Sequence, residues 1–367
     1  MKNLNLMIKP ASATCNLACK YCFYLDQARH REKFTYGLMK DDTLERLVKD
    51  VFTDDYDSIN FLFQGGEPSL AGFDFFNNFH NLVEGYNKNH TRLSFAIQTN
   101  GTLLDENWLS LFKKYNYLVG LSIDGLEEIH DNLRLDRENK PTFDKALEAV
   151  DLLKKNSIDF NILTVVTKSM VHRASEVYDF YKKLGISYMQ FIPVIDPIDG
   201  KYEGISLEGY DYGVFLDELF NNWYEDIKKG KFTSIRFFEN LLLILMGRMP
   251  EACEMVGRCS VNITIEADGI IYPCDFYARD DFALGRVGDK RISEIIFSKN
   301  AYNFVKKSFD LNLKCKTCPY LILCRGGCFR YRDDDGLNKL CQSFKYFYER
   351  NLDRLIDLKE ILLSKVK

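Results

Sequence analysis

The sequence predicts an α/β protein: a partial (β/α)6 TIM-like barrel followed by a C-terminal cysteine-rich domain. Three observations lead there. Apolar, β-rich runs alternate with segments of helical period from residue 4 to about 194, the pattern of repeated βα units and a parallel sheet. The loops that carry glycine, asparagine and cysteine follow the strands, on the rim where parallel α/β folds place their chemistry. The 11 cysteines divide into three at residues 15 to 22, none from 23 to 252, and eight from 253 to 341.

Taken in order, the strands expected are Leu4 to Lys9, Ile59 to Phe63, Leu93 to Gln98, Leu118 to Ile123, Phe160 to Thr167 and Tyr188 to Val194. The cysteine loop follows the first, Gly65-Gly66-Glu67-Pro68 the second, Thr99-Asn100-Gly101 the third and Asp124-Gly125 the fourth. Any one glycine there could be turn chemistry; four such loops on one rim point to a site. Phe143, Ala146, Leu147, Val150 and Leu153 make one apolar helical stripe, and Ala174 to Leu184 another. Tyr210 to Lys228 and Phe237 to Met246 read as packing helices. Val261 to Ile265 and Ile270 to Pro273, around Ala267-Asp268-Gly269, read as a hairpin. Phe344 to Val366 reads as a closing amphipathic helix. The division expected is a barrel over residues 1–230 and a linker helix with the cysteine-rich domain over 231–367.

Composition narrows the function. Net charge is -4 and the basic residues are scattered, so no nucleic-acid face is expected. No stretch of about 18 uncharged apolar residues and no secretory signal is present, so the expectation is a cytoplasmic protein without a membrane role. In a reducing compartment, cysteines are metal ligands or nucleophiles more often than disulfides. One three-ligand site and two four-ligand sites would use all 11. His130 and the other four histidines lack ligand spacing and read as surface or helix-cap residues.

A 4Fe-4S cubane has four irons, so the Cys15-x3-Cys19-x2-Cys22 loop leaves one iron without a thiolate unless a distant cysteine completes it. An open iron can bind a small molecule and pass it an electron. The run Cys15 to Tyr24 resembles the signature of the radical S-adenosylmethionine (SAM) superfamily, and Gln64-Gly65-Gly66-Glu67-Pro68 resembles that family's segment for the SAM amino group. The resemblance implies that Cys15, Cys19 and Cys22 hold a cluster that cleaves SAM, that Tyr21 and Gly66 contact SAM, that Ser122 and Arg134 secure its carboxylate, and that the backbone near Ile195 meets its adenine. A guanidinium is a planar fork suited to a carboxylate. Read without the resemblance, the first cysteines could be a zinc knuckle, although zinc sites close with four ligands, and Arg134 could be a surface arginine.

The spacing Cys315-x2-Cys318-x5-Cys324-x3-Cys328, with Cys341 after it and Cys253, Cys259 and Cys274 before it, resembles the SPASM domain of peptide-modifying radical SAM enzymes. That resemblance implies two auxiliary 4Fe-4S clusters, one on Cys253, Cys259, Cys274 and Cys328, the other on Cys315, Cys318, Cys324 and Cys341. Two structural zinc sites are the alternative.

Across most of the chain the sequence resembles the anaerobic sulfatase-maturating enzymes. The matching stretches include Ile8 to Ser12, Phe63 to Pro68, Gln98 to Thr102, Val119 to Ser122 and Tyr272 to Tyr277. The resemblance implies oxidation of a serine or cysteine in a sulfatase polypeptide to formylglycine, with three 4Fe-4S clusters, SAM, and a ferredoxin- or flavodoxin-like electron donor. Removing hydrogen from Cβ leaves a radical that must lose a proton and an electron. Asp275, beside Cys274, is the expected base; as the plainer reading it caps a turn. Ile195 and the Phe191-Ile192-Pro193 segment depart from the pattern and bear on substrate preference. A maturase forming thioether or carbon-carbon crosslinks in a ribosomal peptide is the alternative; such enzymes often carry a separate N-terminal leader-recognition domain, and only 14 residues precede Cys15, which favours sulfatase maturation.

Overall fold

A computed structural model describes residues 2–364. The chain divides into two compact units, one of Met1–Ser122, Asp131–Phe160 and Ser260–Phe304, the other of Ile123–His130, Asn161–Cys259 and Val305–Lys367.

In the first unit, β1 (Asn3–Ile8), β2 (Ser58–Phe63), β3 (Arg92–Thr99) and β4 (Tyr117–Ser122) lie side by side in parallel. Their period-2 alternation decides which face is buried. Ile59, Phe61 and Phe63 of β2 are buried, and their rings meet Phe76 and Phe79 of the helix Phe73–Tyr86. On the opposite face Asn5, Asn60 and Ser94 bond one another across the strands. One helix between strands carries both its start and its stop signal: Asp105 caps Glu106–Tyr115 by accepting the Asn107 and Trp108 N–H groups, and Asn116 in the left-handed region ends it.

The later hairpin joins this sheet. β8 (Ile263–Ile265) pairs in parallel with β1, aligning Ile263 with Leu6 and Ile265 with Ile8. β9 (Ile270–Tyr272) runs antiparallel to β8, and β10 (Gly285–Arg286) antiparallel to β9. Gly269 turns the hairpin at φ 88, where a Cβ would also stand 2.7 Å from Val287.

The second unit holds β5 (Phe160–Val166), β6 (Tyr188–Pro193) and the short β7 (Ser234–Ile235), paired in parallel in that order. Four helices pack with them: Ala174–Lys183, Asp211–Lys228, Arg236–Leu245 and Cys341–Ser364. Rings of Phe220, Trp223, Phe238 and Phe347 knit the last three together. At Gly213 the second helix presses so close to the last that a Cβ would stand 2.3 Å from the Ser343 carbonyl oxygen.

All six barrel strands fall within one residue of the bounds expected, and the hairpin within two. The closing helix starts earlier than expected, at Cys341; the part expected at 365–366 lies outside the described residues. Two histidines are not on the surface. His80 is 1% exposed, between Tyr115 and Tyr117, and buried His130 accepts the Asp124 N–H through Nδ1. Aromatic neighbours can satisfy an imidazole in a core, which spacing alone does not reveal. Among the described residues no helix is long and apolar enough to cross a membrane.

Candidate active site

The loop after β1 carries Cys15, Cys19 and Cys22, all free thiols and all half-buried. Cys15 Sγ accepts the Leu17 N–H at 3.3 Å, and the Asn100 amide, from the loop after β3, reaches it at 3.8 Å. Asn100 also donates to Asn16 Oδ1 at 2.9 Å, and Arg137 Nε to the Cys15 carbonyl at 2.6 Å. Burial, then the Glu67 carboxylate, push the Cys15 thiol up to about 12, and charge on Cys19 and Cys22 adds to it. These are thiols whose ionised forms need a cation close by. Cys22 sits at the start of the helix Phe23–Arg29.

Gly66 is sealed against that loop. At φ 56 its Cβ would stand 2.1 Å from the Thr14 carbonyl oxygen, the same oxygen that accepts the Glu67 N–H at 2.9 Å. Only glycine allows this approach. The Glu67 carboxylate turns inward: Oε1 accepts from Ser69 N, Ser69 Oγ and Thr99 Oγ1, and Oε2 from Asn100 N. It thereby ties the loop after β2 to the loop after β3, a clamp that the sequence reading did not single out.

Tyr21 and Arg134 meet: Arg134 is 8% exposed, and its Nη1 donates to the Tyr21 hydroxyl at 2.8 Å. The surface-arginine reading is overturned by this burial. Ser122, at the end of β4, accepts from Gln98 Nε2 at 3.0 Å. Ile195 belongs to the second unit, buried just past β6.

Asp275 is also in the first unit, and among the described residues its carboxylate makes no hydrogen bond to its own turn, against the turn-cap reading. Its Oδ2 accepts the Tyr24 hydroxyl at 2.6 Å, and its carbonyl accepts Gln27 Nε2 at 2.9 Å. Tyr24 and Gln27 stand on the helix that begins after Cys22, so the candidate base is tied directly to the three-cysteine loop. Oδ1 is buried and has no hydrogen-bond partner among the described residues. Burial pushes the Asp275 carboxyl above the usual range, against the pull of Lys9 and of the Tyr24 hydroxyl.

Beneath this turn lies a charge cluster that no motif announced. Lys9 Nζ reaches Glu266 Oε2 at 3.2 Å and Arg31 Nη1 reaches it at 2.7 Å, all three side chains being buried. Burial alone would lift Glu266; Lys9 and Arg31 outweigh it and hold the carboxyl below its usual range. Arg31 Nε also holds the Ala278 carbonyl at 2.6 Å, while Lys9 Nζ lies 4.8 Å from the Tyr24 ring centre. The cluster therefore braces the 275–278 turn from both sides.

In the second unit, Cys315, Cys318, Cys324 and Cys341 line one cavity of about 210 Å³, with Lys314, Lys345, Tyr320 and Tyr348. Cys328 is not among its lining residues. Cys253, Cys259 and Cys328 form another group of this unit; burial raises the Cys259 and Cys328 thiols, and charge on neighbouring cysteines adds to it. Cys274, expected with them, belongs to the first unit. Buried Arg332 donates to the carbonyls of Ser308, Asp310, Gly257, Gly326 and Gly327, pinning the backbone on which these cysteines are mounted.

Free thiols converging on a cavity of this size suit a cubane. Among the described residues no three His, Cys, Asp or Glu side chains close around a single ion, and a cubane spreads its thiolates further apart than one ion does.

Residues 10–181 match the radical SAM superfamily, and residues 253–319 match SPASM, an iron-sulfur cluster-binding domain. The class is thus a radical SAM oxidoreductase with a SPASM domain, and the α/β partial-barrel fold class expected from the sequence is the one that class has. A cysteine-type anaerobic sulfatase-maturating enzyme of Clostridium novyi (strain NT) is 43% identical over 97% of each chain. A serine-type enzyme of Bacteroides thetaiotaomicron is 31% identical over 99% of this chain and 93% of its own length. Native anSMEcpe with bound AdoMet and Cp18Cys peptide matches with a TM-score of 0.92 and 41% identity, over 98% of this chain and 99% of that one. The chain belongs to the anaerobic sulfatase-maturating enzymes.

Proposed function

We propose that this enzyme oxidises a cysteine, and less readily a serine, of a sulfatase polypeptide to formylglycine. The cysteine preference rests on identity: the cysteine-type relatives stand at 43% and 42%, the serine-type at 31% and below. When bound, the iron-sulfur clusters and SAM supply one-electron chemistry, namely removal of a hydrogen atom from the substrate Cβ and uptake of the electron that the resulting radical gives up. Cys15, Cys19 and Cys22 would hold the first cluster, Cys253, Cys259, Cys274 and Cys328 the second, and Cys315, Cys318, Cys324 and Cys341 the third. Arg134, steadied by Tyr21, would hold the SAM carboxylate together with Ser122. Gly66 would let the backbone approach, and the backbone at Ile195 would receive the adenine.

The observation that carries the chemistry is the unpartnered Oδ1 of Asp275. Tyr24 and Gln27 fix the carboxyl and the turn below it, leaving one oxygen to take the thiol proton as the Cβ radical is oxidised. Burial makes that oxygen a stronger base than an exposed carboxylate. The organic product is a thioaldehyde, which water converts to the aldehyde with release of hydrogen sulfide. A ferredoxin- or flavodoxin-like donor and a cytoplasmic setting complete the proposal, with the barrel over residues 1–230 and the cluster-binding domain over 231–367.

The test incubates reduced enzyme and SAM with a peptide carrying a Cys-x-Pro-x-Arg core, followed by mass spectrometry of the peptide and assay of 5'-deoxyadenosine. Asp275→Asn is expected to cleave SAM while losing about 10²- to 10⁴-fold in aldehyde, the usual contribution of a positioned base. Unchanged aldehyde formation removes Asp275 from that role.

A further inference from the structure

Around the cavity of the second unit the chain changes character. Leu313 to Arg332 holds five basic residues and no acidic one, in a chain where Asp and Glu number 53 against 49 Lys and Arg. Three of the five are occupied by backbone: Arg332 as described, Arg330 on the Asp196 carbonyl and Arg325 on the Ile322 carbonyl. Lys314 and Lys316 are different. Both are exposed on the single turn Leu313–Lys316, whose Cys315 lines the cavity, and Lys345 is exposed on the closing helix. Lys314 and Lys345 line the cavity beside the four cysteines. Among the described residues none of these three lysines pairs with a carboxylate.

Apolar side chains are exposed at the same place. Leu313 is 74% exposed and Ile322 69%, the most exposed leucine and isoleucine among the described residues. Each is next in sequence to a residue lining the cavity, Lys314 and Leu321. The exposed Asp333, Asp334 and Asp335 follow this stretch, with the Asp335 carbonyl bonded to Asn312, yet among the described residues they make no ion pair with the three lysines. A small apolar spot flanked by unpaired lysines is the form of a short-lived protein interface: charge speeds and orients the encounter, and the limited apolar area keeps the complex weak enough to part.

We propose that Leu313, Lys314, Lys316, Ile322 and Lys345 form the docking surface for a small acidic one-electron carrier protein. The inference rests on the reading that Cys315, Cys318, Cys324 and Cys341 hold an iron-sulfur cluster and that the enzyme uses an external carrier. No bond forms or breaks on docking. One electron passes between carrier and cluster, each changing by one unit in opposite senses. Electron transfer through protein falls steeply with distance, so a useful place for such a surface is the turn that itself carries Cys315, beside the cavity lined by the four thiols. The charge points to an acidic partner, since the same rim would repel a basic one.

The test uses the full-length, cluster-loaded enzyme with purified flavodoxin and, separately, a clostridial-type ferredoxin as probes. Binding is measured by calorimetry at low and at high salt, and turnover is driven either by the reduced carrier or by dithionite. Lys316→Glu, whose residue does not line the cavity, is expected to weaken carrier binding about three- to tenfold at low salt, since the reversal replaces an attraction with a repulsion, and the difference is expected to shrink as salt screens it. KM for the carrier rises, while iron and sulfide content and dithionite-driven turnover stay as in the wild type. Leu313→Ser, also outside the cavity lining, is the second variant and is expected to weaken binding without changing its salt dependence. Equal carrier affinity in wild type and variants sinks the docking surface alone. A wild type that neither binds nor accepts electrons from either carrier sinks the carrier reading as well, and affinity lost for the sulfatase peptide instead makes the rim a substrate surface.

Discussion

Replacing Glu67 with glutamine tests the clamp between the loops after β2 and β3. The carboxylate is 1% exposed and all four of its partners are donors, at 3.1, 2.7 and 2.8 Å on Oε1 and 2.8 Å on Oε2. An amide has only one oxygen. Set where Oε1 was, it keeps three donors and turns its NH2 toward the Asn100 N–H; flipped, it leaves three donors facing nitrogen. The better orientation still strands one buried backbone N–H, which costs about 1–3 kcal/mol. Local opening of the Thr99–Thr102 loop should therefore become about 5- to 150-fold more frequent. Hydrogen exchange with peptide-level mass spectrometry reads this over residues 65–70 and 99–102. Asn100 also holds Asn16 and Cys15, so SAM affinity should weaken in parallel. The reasoning has one clear way to fail. Burial pushes the Glu67 carboxyl upward against those four donors; if the group is protonated in the native protein, glutamine mimics it and exchange at Asn100 is unchanged.

Two further outcomes follow from packing and charge. Gly213→Ala places a methyl 2.3 Å from the Ser343 carbonyl oxygen, so despite alanine's better helix propensity it should destabilise the second unit by about 1–3 kcal/mol, seen as a lower urea midpoint; a rise would show that the two helices part freely. His80 is lowered to about 3, by burial first and then by Lys114. Because the folded state excludes the proton, stability is full above about pH 6.5 and is lost below it at up to about 1.4 kcal/mol per pH unit. His80→Gln should flatten urea stability between pH 6.5 and 5.5 relative to wild type, and parallel curves would refute the burial argument.

The strands were legible because period-2 alternation and the glycine loops after them are local signals. So were the three-cysteine loop, the Gly65-Gly66 turn and the eight later cysteines, whose spacing is itself the information. Lys9, Arg31 and Glu266 were not. Each looks in sequence like one more charged residue, and only the parallel pairing of β8 with β1 makes them a cluster. Arg332 was hidden for the same reason: its five carbonyl partners come from three separate stretches of chain. His80 failed in the opposite direction, since a polar label concealed a ring packed flat on Tyr115 at 3.4 Å.

The placement of Asp275 shows why this part of the molecule could not be read residue by residue. Its contacts with Tyr24 and Gln27 span 251 and 248 positions. They exist because the hairpin leaves the later cysteine-rich stretch and adds itself to the edge of the first sheet, bringing Cys274 and Asp275 into the unit that carries Cys15, Cys19 and Cys22. Lys9 takes part twice. Its backbone N–H continues the β1–β8 pairing by donating to the Ile265 carbonyl at 2.8 Å, and its side chain runs beneath Gly65, where a Cβ would stand 2.5 Å from Lys9 Cε, to meet Glu266. Gly65 is thus required by the lysine below it, as Gly66 is by the cysteine loop beside it. Two buried cations against the single carboxylate of Glu266 leave a positive excess near the Asp275 turn, which pulls against the burial that raises that carboxyl. A base poised in this way depends on residues 9, 31 and 266 together, so its strength is a property of the strand pairing rather than of the sequence next to it.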